Sequence, residues 1–334
     1  MVANGVARNW RFSSALRKST MTRITPKKLE KHILKAVNSN IAKSTRRFFF
    51  NHLTKSTEER GHFHVDFMYG AGSGVLLNIE DKYFVLTAKH VINKNLNGDF
   101  QNESPFWITS KNKSDFSSLY NFLFPKGLWN IGDLMPKIDA EIDVSDLCLV
   151  ELFDPPKFHI PDHFIKIESE SSVMKKSEFF EGQYLLVTGY PFERNNFDFN
   201  PIDHNYTHST KIQRHSIPGI YINSASLGYI SFEMTKGDYQ HENLNGMSGG
   251  AIYNIQPKAN MVKLAGIPIT AGNNICRFIP SYLFVNALMQ YKKSSFTVID
   301  PIVNVPPSLD DVMKVTLEYL RDDAVFKIPV WARW

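Results

Sequence analysis

The chain has few cysteines and no long apolar run. Its 334 residues include two cysteines, Cys148 and Cys276, which are too few for a disulfide framework. Cys148 lies inside an apolar stretch, where a buried thiol is the expected state. No run of 18 or more apolar residues is present, so we expect no membrane span. The first 20 residues lack the apolar core of a secretory signal, and we therefore expect no export by the ordinary route.

Motifs of several other protein classes are also missing. The sequence has no phosphate-binding loop, dinucleotide fingerprint, internal repeat or CxxC pair. The histidines of the segment 62–64 fit an alternating strand better than a metal clamp. Those at His204, His208 and His215 are spaced too loosely for a zinc signature. We therefore expect neither a metal nor a cofactor, and we interpret residues 191–240 as a mobile surface loop.

Positive charge is concentrated at the start of the chain. Residues 1–60 contain 14 Lys or Arg against 3 acids, a net of +11, whereas the whole chain carries +5. Within this part the sequence predicts an amphipathic helix, with Thr25 as N-cap and Pro26 at the first position. Its predicted apolar face consists of Leu29, Ile33, Leu34, Val37 and Ile41.

Two interpretations are open for the helix of this basic part, and two for the Arg-rich lead before it. The helix packs on the body of the protein, which we favour, or it binds nucleic acid. The Arg-rich lead before Glu30 is similar to an organellar transit peptide, or is an upstream extension before Met21.

The most informative stretch is "GMSGG", residues 246–250. Three glycines around Ser248 predict a tight turn that leaves backbone N–H groups free to hold an anion. A Gly-rich hairpin before the following strand is the alternative. The pattern also fits the nucleophile elbow of α/β-hydrolases, but there the histidine follows the serine. All 11 histidines of this chain precede Ser248. A partner base must therefore lie upstream.

A base and an acid are found at the ends of predicted strands. The runs "GVLLNI" and "YFVLTA", joined by the polar turn "EDK", predict a β-hairpin that delivers His90 at its end. Further on, Asp146 opens the apolar run 147–150, from which its carboxylate can hold an imidazole. Asp143 is the competing acid. We prefer Asp146 because the apolar run begins directly after it.

The order His, Asp, Ser resembles that of the chymotrypsin-like serine proteases. The resemblance is carried by "LTAKHV" for the family's T-A-x-H, "DLCLV" for its D-[LIV]-[AC]-[LIV] and "GMSGG" for its G-x-S-G-G. The stretches "GAGSGVLL" and "KLAGIPI" also look like family strands, the second like the one that pairs with substrate. Together these stretches cover about residues 61–290.

The resemblance implies an all-β fold of two six-stranded antiparallel β-barrels with helical extensions at both ends. We expect the basic extension at 1–60, the protease domain at 61–295 and a C-terminal helix and tail at 296–334. The two barrels are expected at about 61–160 and 175–290.

The resemblance also implies a serine endopeptidase that hydrolyses a protein or peptide substrate. His90 is then the general base, Asp146 orients it and Ser248 is the nucleophile. The backbone N–H groups of Gly246 and Ser248 form the oxyanion hole.

Departures from the family pattern carry information too. Met247 stands where secreted members carry the Asp that binds the new N-terminus after activation cleavage. Because the family's disulfides are missing as well, the chain resembles bacterial and intracellular members, and we expect a cytoplasmic location, with an organelle as the alternative.

Substrate selection and control are weaker inferences. By the same resemblance, Glu242 lies at the base of the S1 pocket and favours a basic residue before the scissile bond, or it is an exposed loop residue. Thr270 and Ala271 line the pocket wall. Trp331 and Trp334 either dock a regulatory partner or a second copy of the chain, or cap the protein's own surface. The alternative function is a catalytically silent protease-like module that binds a peptide or a partner protein.

Overall fold

The described chain is built around two barrel-like sheets. The computed structural model describes residues 25–51, 68–95, 106–110, 122–154, 163–167, 172–192, 197–198, 209–210, 212–232, 244–255 and 262–291. Within them the chain is mostly β, with few helices. The prediction of a β-rich fold with two barrel-like sheets is confirmed, but the first sheet has eight described strands, one of them parallel, where six antiparallel strands were expected.

The first sheet has eight strands among the described residues. They are β1 (Thr45–Asn51), β2 (Met68–Ile79), β3 (Lys82–Thr87), β4 (Phe106–Thr109), β5 (Phe122–Leu123), β6 (Pro125–Trp129), β7 (Cys148–Leu152) and β8 (Ile165–Lys166). Their order is β5-β4-β1-β2-β3-β7-β6, with β8 parallel to β2, and the sheet is nearly closed. Its interior contains packed aromatic rings, with Phe48 and Phe50 both 5.5 Å from Phe106 between centroids.

The second sheet is a closed six-stranded barrel. It consists of β9 (Tyr184–Gly189), β12 (His215–Ile222), β13 (Tyr229–Ser231), β14 (Ala251–Asn254), β15 (Leu264–Gly272) and β16 (Ile275–Pro280), closed in the order β12-β13-β16-β15-β14-β9. The short strands β10 (Phe197–Asp198) and β11 (Ser209–Thr210) form a separate pair. Met174, Val187, Ile252 and Phe278 are among the buried residues of this barrel's core.

Four α-helices and two 3-10 turns are described. The α-helices are α1 (Pro26–Val37), α2 (Asn40–Lys43), α3 (Lys89–Asn93) and α4 (Ser281–Tyr291). The 3-10 turns are Ile131–Leu134 and Lys176–Glu178. No described helix has the length and apolar character needed to cross a bilayer.

Helix α1 packs on the body of the protein, as favoured from its sequence. Leu29, Ile33 and Ala36 are buried in the main hydrophobic core. Leu34 was predicted on the same face, but it is 49% exposed. The buried stripe instead continues through Ala36, because residues three and four apart share a helix face.

The basic extension was predicted to reach residue 60, but strand β1 lies inside it. β1 pairs with β2 and β4. Its Arg46 and Arg47 are buried rather than solvated. The Arg46 guanidinium donates to the carbonyls of Ser110 and Thr45, which offsets the cost of burial. The pKa of Arg46 is lowered to about 10, mainly because the side chain is buried. The nearby charge of Arg214 adds to this lowering, whereas Tyr190 opposes it.

The interpretation of 191–240 as one mobile loop is wrong, because the strands β10 to β13 lie within it. Strands β12 and β13 lie there and close the second barrel. His215 is a buried residue at the start of β12. The histidines at 62, 64, 204 and 208 lie outside the described residues, as do the predicted C-terminal helix and both tail tryptophans.

Candidate active site

The hairpin of β2 and β3 delivers His90 as the sequence predicts. A two-residue turn joins the strands, and its residues Glu80 and Asp81 have positive φ of 50° and 62°. Positive φ at both central positions matches the twist of two antiparallel strands. Strand β3 ends at Thr87, and His90 lies in the first turn of the short helix α3.

Strand register sets Asp146 opposite His90. Strands β3 and β7 are antiparallel, with Thr87 paired to Cys148, so the residues after Thr87 face those before Cys148. The Lys89 amide accordingly donates to the Asp146 carbonyl over 3.3 Å.

The Asp146 carboxylate holds His90 at two points. One oxygen accepts from the His90 backbone N–H at 2.8 Å, and the other lies 2.5 Å from the imidazole Nδ1. The His90 and Asp146 side chains are 27% and 17% exposed. With Nδ1 bound to the carboxylate, Nε2 is the ring nitrogen that remains to accept a proton.

Asp143 has a different role in the structure. Its carboxylate accepts from the backbone amide and the hydroxyl of Ser145, at 2.8 and 2.6 Å. Its carbonyl accepts from the Asp146 amide. Asp143 therefore shapes the loop that presents Asp146, and it is Asp146 that lies against the histidine.

The turn around Ser248 requires its glycines. Gly246 and Gly249 have φ of 95° and 79°, in the left-handed region that side chains disfavour. A Cβ on Gly249 would lie 2.1 Å from the Ser73 carbonyl oxygen and 2.2 Å from Thr87 Oγ1. The serine turn of the second barrel thus lies against the end of β3, close in sequence to His90.

Two backbone amides in this turn have no described acceptor. The amides of Met247, Gly249 and Gly250 each donate to a backbone carbonyl. Within the described part of the chain, those of Gly246 and Ser248 do not donate. These are the two amides that the resemblance to the proteases assigns to an oxyanion hole.

The Ser248 hydroxyl is bound to a neighbouring strand. It donates to the Ile269 carbonyl at 2.8 Å, and no hydrogen bond to His90 is present among the described residues. Ile269 lies at a register shift between β15 and β16, where Pro268 pairs with Phe278 and Thr270 with Arg277. Such a bulge re-aims a backbone group, here the carbonyl that receives the hydroxyl.

Beyond the bulge, β15 has an open edge. Its pairs with β14 are made by Gly266 and Leu264, whereas its pairing with β16 continues to Gly272. The segment 270–272 is therefore paired on one side only among the described residues. Thr270 is exposed and Ala271 is half-buried there. Glu242, the third predicted pocket residue, lies outside the described residues.

The two cysteines have to be considered as alternative nucleophiles. Burial raises the pKa of the Cys148 thiol, and the charge of nearby Asp146 adds to the effect. Burial likewise raises the pKa of Cys276. Neither thiol is therefore an activated nucleophile.

Met247 is fully buried in the core of the second barrel, and its side chain has no charge with which to bind an N-terminus.

Ser73 lies beside this site but was not predicted from the sequence. Its stretch "GAGSGVLL" was recognised as a strand, but the hydroxyl was not singled out. In the structure it reaches from β2 to the serine turn, donating to the Gly246 carbonyl at 2.7 Å. A serine flanked by glycines in a predicted strand was the available signal, since a close backbone approach is expected there.

The chain was also compared with known proteins: no family model matches it, and no curated protein sequence does either.

Proposed function

We propose that the chain is a serine endopeptidase of the chymotrypsin-like type. The observation that carries this proposal is the double hydrogen bond from His90 to the Asp146 carboxylate, made beside the glycine turn of Ser248. The two barrel-like sheets and the order His, Asp, Ser add support. The substrate is a protein or peptide, and the reaction needs no cofactor.

In the proposed reaction, His90 Nε2 takes the Ser248 hydroxyl proton as Oγ attacks the scissile carbonyl carbon. Asp146 holds the ring in the required tautomer and stabilises the imidazolium. The oxyanion lies against the amides of Gly246 and Ser248, which are free for that purpose among the described residues. The C–N bond then breaks, the imidazolium gives its proton to the leaving amine, and water releases the acyl group by the reverse roles.

The first step requires a side-chain rotation. Because the Ser248 hydroxyl donates to the Ile269 carbonyl, it must leave that acceptor before His90 can take its proton. Catalytic hydrogen bonds are often absent from an unliganded site and form once substrate is bound.

The open edge of β15 is the proposed substrate platform. An extended peptide gains main-chain hydrogen bonds by adding a strand to such an edge. Thr270 and Ala271 then contact the substrate's side chains, and Glu242 is retained as the proposed determinant of a basic residue before the scissile bond. Two free, buried cysteines suit work in a reducing compartment such as the cytoplasm.

Hydrolysis of a fluorescently labelled unfolded protein tests the proposal. Ser248→Ala should lower turnover by about 10⁴-fold or more, since the remaining triad members cannot replace the nucleophile. Asp146→Asn should lower it by about 10⁴-fold, because the imidazole tautomer is lost. Asp143→Asn is the matched control and should stay close to the wild type, because the amide oxygen of asparagine can still accept both hydrogen bonds from Ser145. Equal losses of turnover in Asp146→Asn and Asp143→Asn would contradict the proposed role of Asp146.

One observation favours a second function. The Ser248 hydroxyl is engaged by Ile269 rather than by His90, as expected for a protease-like module that binds a peptide along β15 without cleaving it. In such a module, the wild type and Ser248→Ala would bind peptides equally well, and neither protein would show turnover. Peptide affinity measured beside turnover therefore separates the two functions.

A further inference from the structure

Ser73 is hydrogen-bonded to the turn around Ser248 at two points. Its hydroxyl donates to the Gly246 carbonyl at 2.7 Å and accepts from the Tyr190 amide at 2.9 Å. Its own amide donates to the Ser248 carbonyl at 3.0 Å. A single residue of the first sheet thus holds two carbonyls of a turn that belongs to the second.

The positions of these two carbonyls determine what Ser73 controls. Each peptide unit is planar, so fixing a carbonyl fixes the whole unit. Ser73 fixes the units after Gly246 and after Ser248. The unit between them, from Met247 to Ser248, carries the Ser248 amide. The direction of that amide is therefore set from both sides.

Ser73 itself is held in place by its surroundings. Ser73 is fully buried, and its carbonyl accepts from the Thr87 hydroxyl at 2.7 Å. Thr87 ends the strand that leads to His90. One side of Ser73 is therefore tied to the histidine strand and the other to the serine turn.

We propose that Ser73 is a positioning residue that sets the oxyanion hole and aligns it with the histidine strand. This inference rests on the proposed protease function. Ser73 touches no reacting atom, and its effect on catalysis passes through the Ser248 amide. Loss of its hydroxyl should therefore weaken transition-state stabilisation more than substrate binding.

Ser73→Ala tests this, with Ser281→Ala as the matched control. Ser281 is also fully buried, and its hydroxyl donates to a distant backbone carbonyl, that of Met174, at 2.8 Å. Ser73→Ala should lower kcat by about 10- to 100-fold with KM almost unchanged, because small misplacements of catalytic groups cost that much. The pH midpoint of kcat/KM should not move, since His90 and Asp146 are untouched. Ser281→Ala should keep the wild-type kcat.

Ser73→Cys is the second variant, because it keeps a donor at this position, although a thiol is a weaker donor and larger than a hydroxyl. It should give a kcat between those of wild type and Ser73→Ala. A Ser73→Ala protein that is folded and as active as Ser281→Ala would overturn the proposal. So would unfolding of both Ser73 variants under conditions where Ser281→Ala folds, since the hydroxyl would then serve the fold alone.

Hydrogen exchange separates failure of this inference from failure of the proposed function. A wild type that shows no turnover contradicts the protease proposal, and exchange in residues 244–250 then decides the role of Ser73. Faster exchange there in Ser73→Ala than in Ser281→Ala supports the anchor. Equal exchange in the two variants would overturn it.

Discussion

At Ser248, the proposed reaction requires a rotation of the side chain. The hydroxyl rests on the Ile269 carbonyl, while the amide of the same residue is free of described acceptors. Under the proposed function, the backbone already supplies this donor for an oxyanion, whereas the Ser248 hydroxyl has to turn before it can attack. Under the same proposal, a peptide bound along β15 would change the environment of this hydroxyl, because Thr270 directly follows its acceptor, Ile269.

At Gly249, an added methyl group meets both a steric clash and a disfavoured backbone conformation. In Gly249→Ala the new Cβ meets the Ser73 carbonyl and Thr87 Oγ1, and the positive φ adds strain. We expect a loss of at least about 2 kcal/mol in the free energy of unfolding. Chemical denaturation measures it. Gly272→Ala is the control, since no atom lies within 4 Å of its Cβ. Equal stability of the two variants would contradict the described turn.

At the scale of elements, the N-terminal segment is joined to the second barrel by an arginine. The Arg214 guanidinium donates to the carbonyls of Val37 and Ala42, at the ends of α1 and α2. The Tyr190 hydroxyl donates to the Thr45 carbonyl, where β1 begins. The two bonds of Arg214 reach carbonyls near helix ends, where backbone acceptors lack helical partners. The Tyr190 bond joins the start of β1 to the residue whose amide donates to the Ser73 hydroxyl.

Helix α1 should be sensitive to acid through His32. Burial, followed by the charges of Lys28, Lys35 and Lys31, lowers the pKa of His32 below its ordinary 6.5. The unfolded chain therefore binds the proton more readily than the folded one. The contribution of His32 to stability is present above pH 6.5 and is lost as the pH falls through the lowered value.

His32→Leu isolates this effect. Both ring nitrogens of His32 lack a hydrogen-bond partner among the described residues, so leucine removes no bond seen there. Between pH 7 and 5, wild type should lose more stability than His32→Leu, as measured by urea denaturation at each pH. Parallel pH dependence of the two proteins would show that His32 does not titrate with folding.

For the whole molecule, the features that depend on local pattern were predictable from the sequence. Alternation and turn residues predict the hairpin before His90, and the apolar run after Asp146 predicts β7. The glycines around Ser248 predict a turn with free amides. Each of these features is decided by residues within a short window, so it can be recognised without knowledge of distant partners.

Features that depend on distant partners were not predictable in this way. The residues of β1 were assigned to a basic helical extension, because the carbonyls that accept from Arg46 come partly from residue 110. β12 was assigned to a loop, because its pairing with β9 spans a long and polar stretch. The contact of Ser73 with the turn around Ser248 could not be predicted, because its acceptor at Gly246 lies 173 residues away in the sequence.

The central claim is that Ser248 is a nucleophile activated by His90. Reaction of the purified full chain with a fluorophosphonate, followed by intact mass and peptide mapping, tests it most directly. We predict one adduct per chain, on Ser248, with none in Ser248→Ala and a large loss of rate in His90→Ala. A wild type that never forms the adduct, or an adduct that forms equally well in Ser248→Ala, would contradict the account.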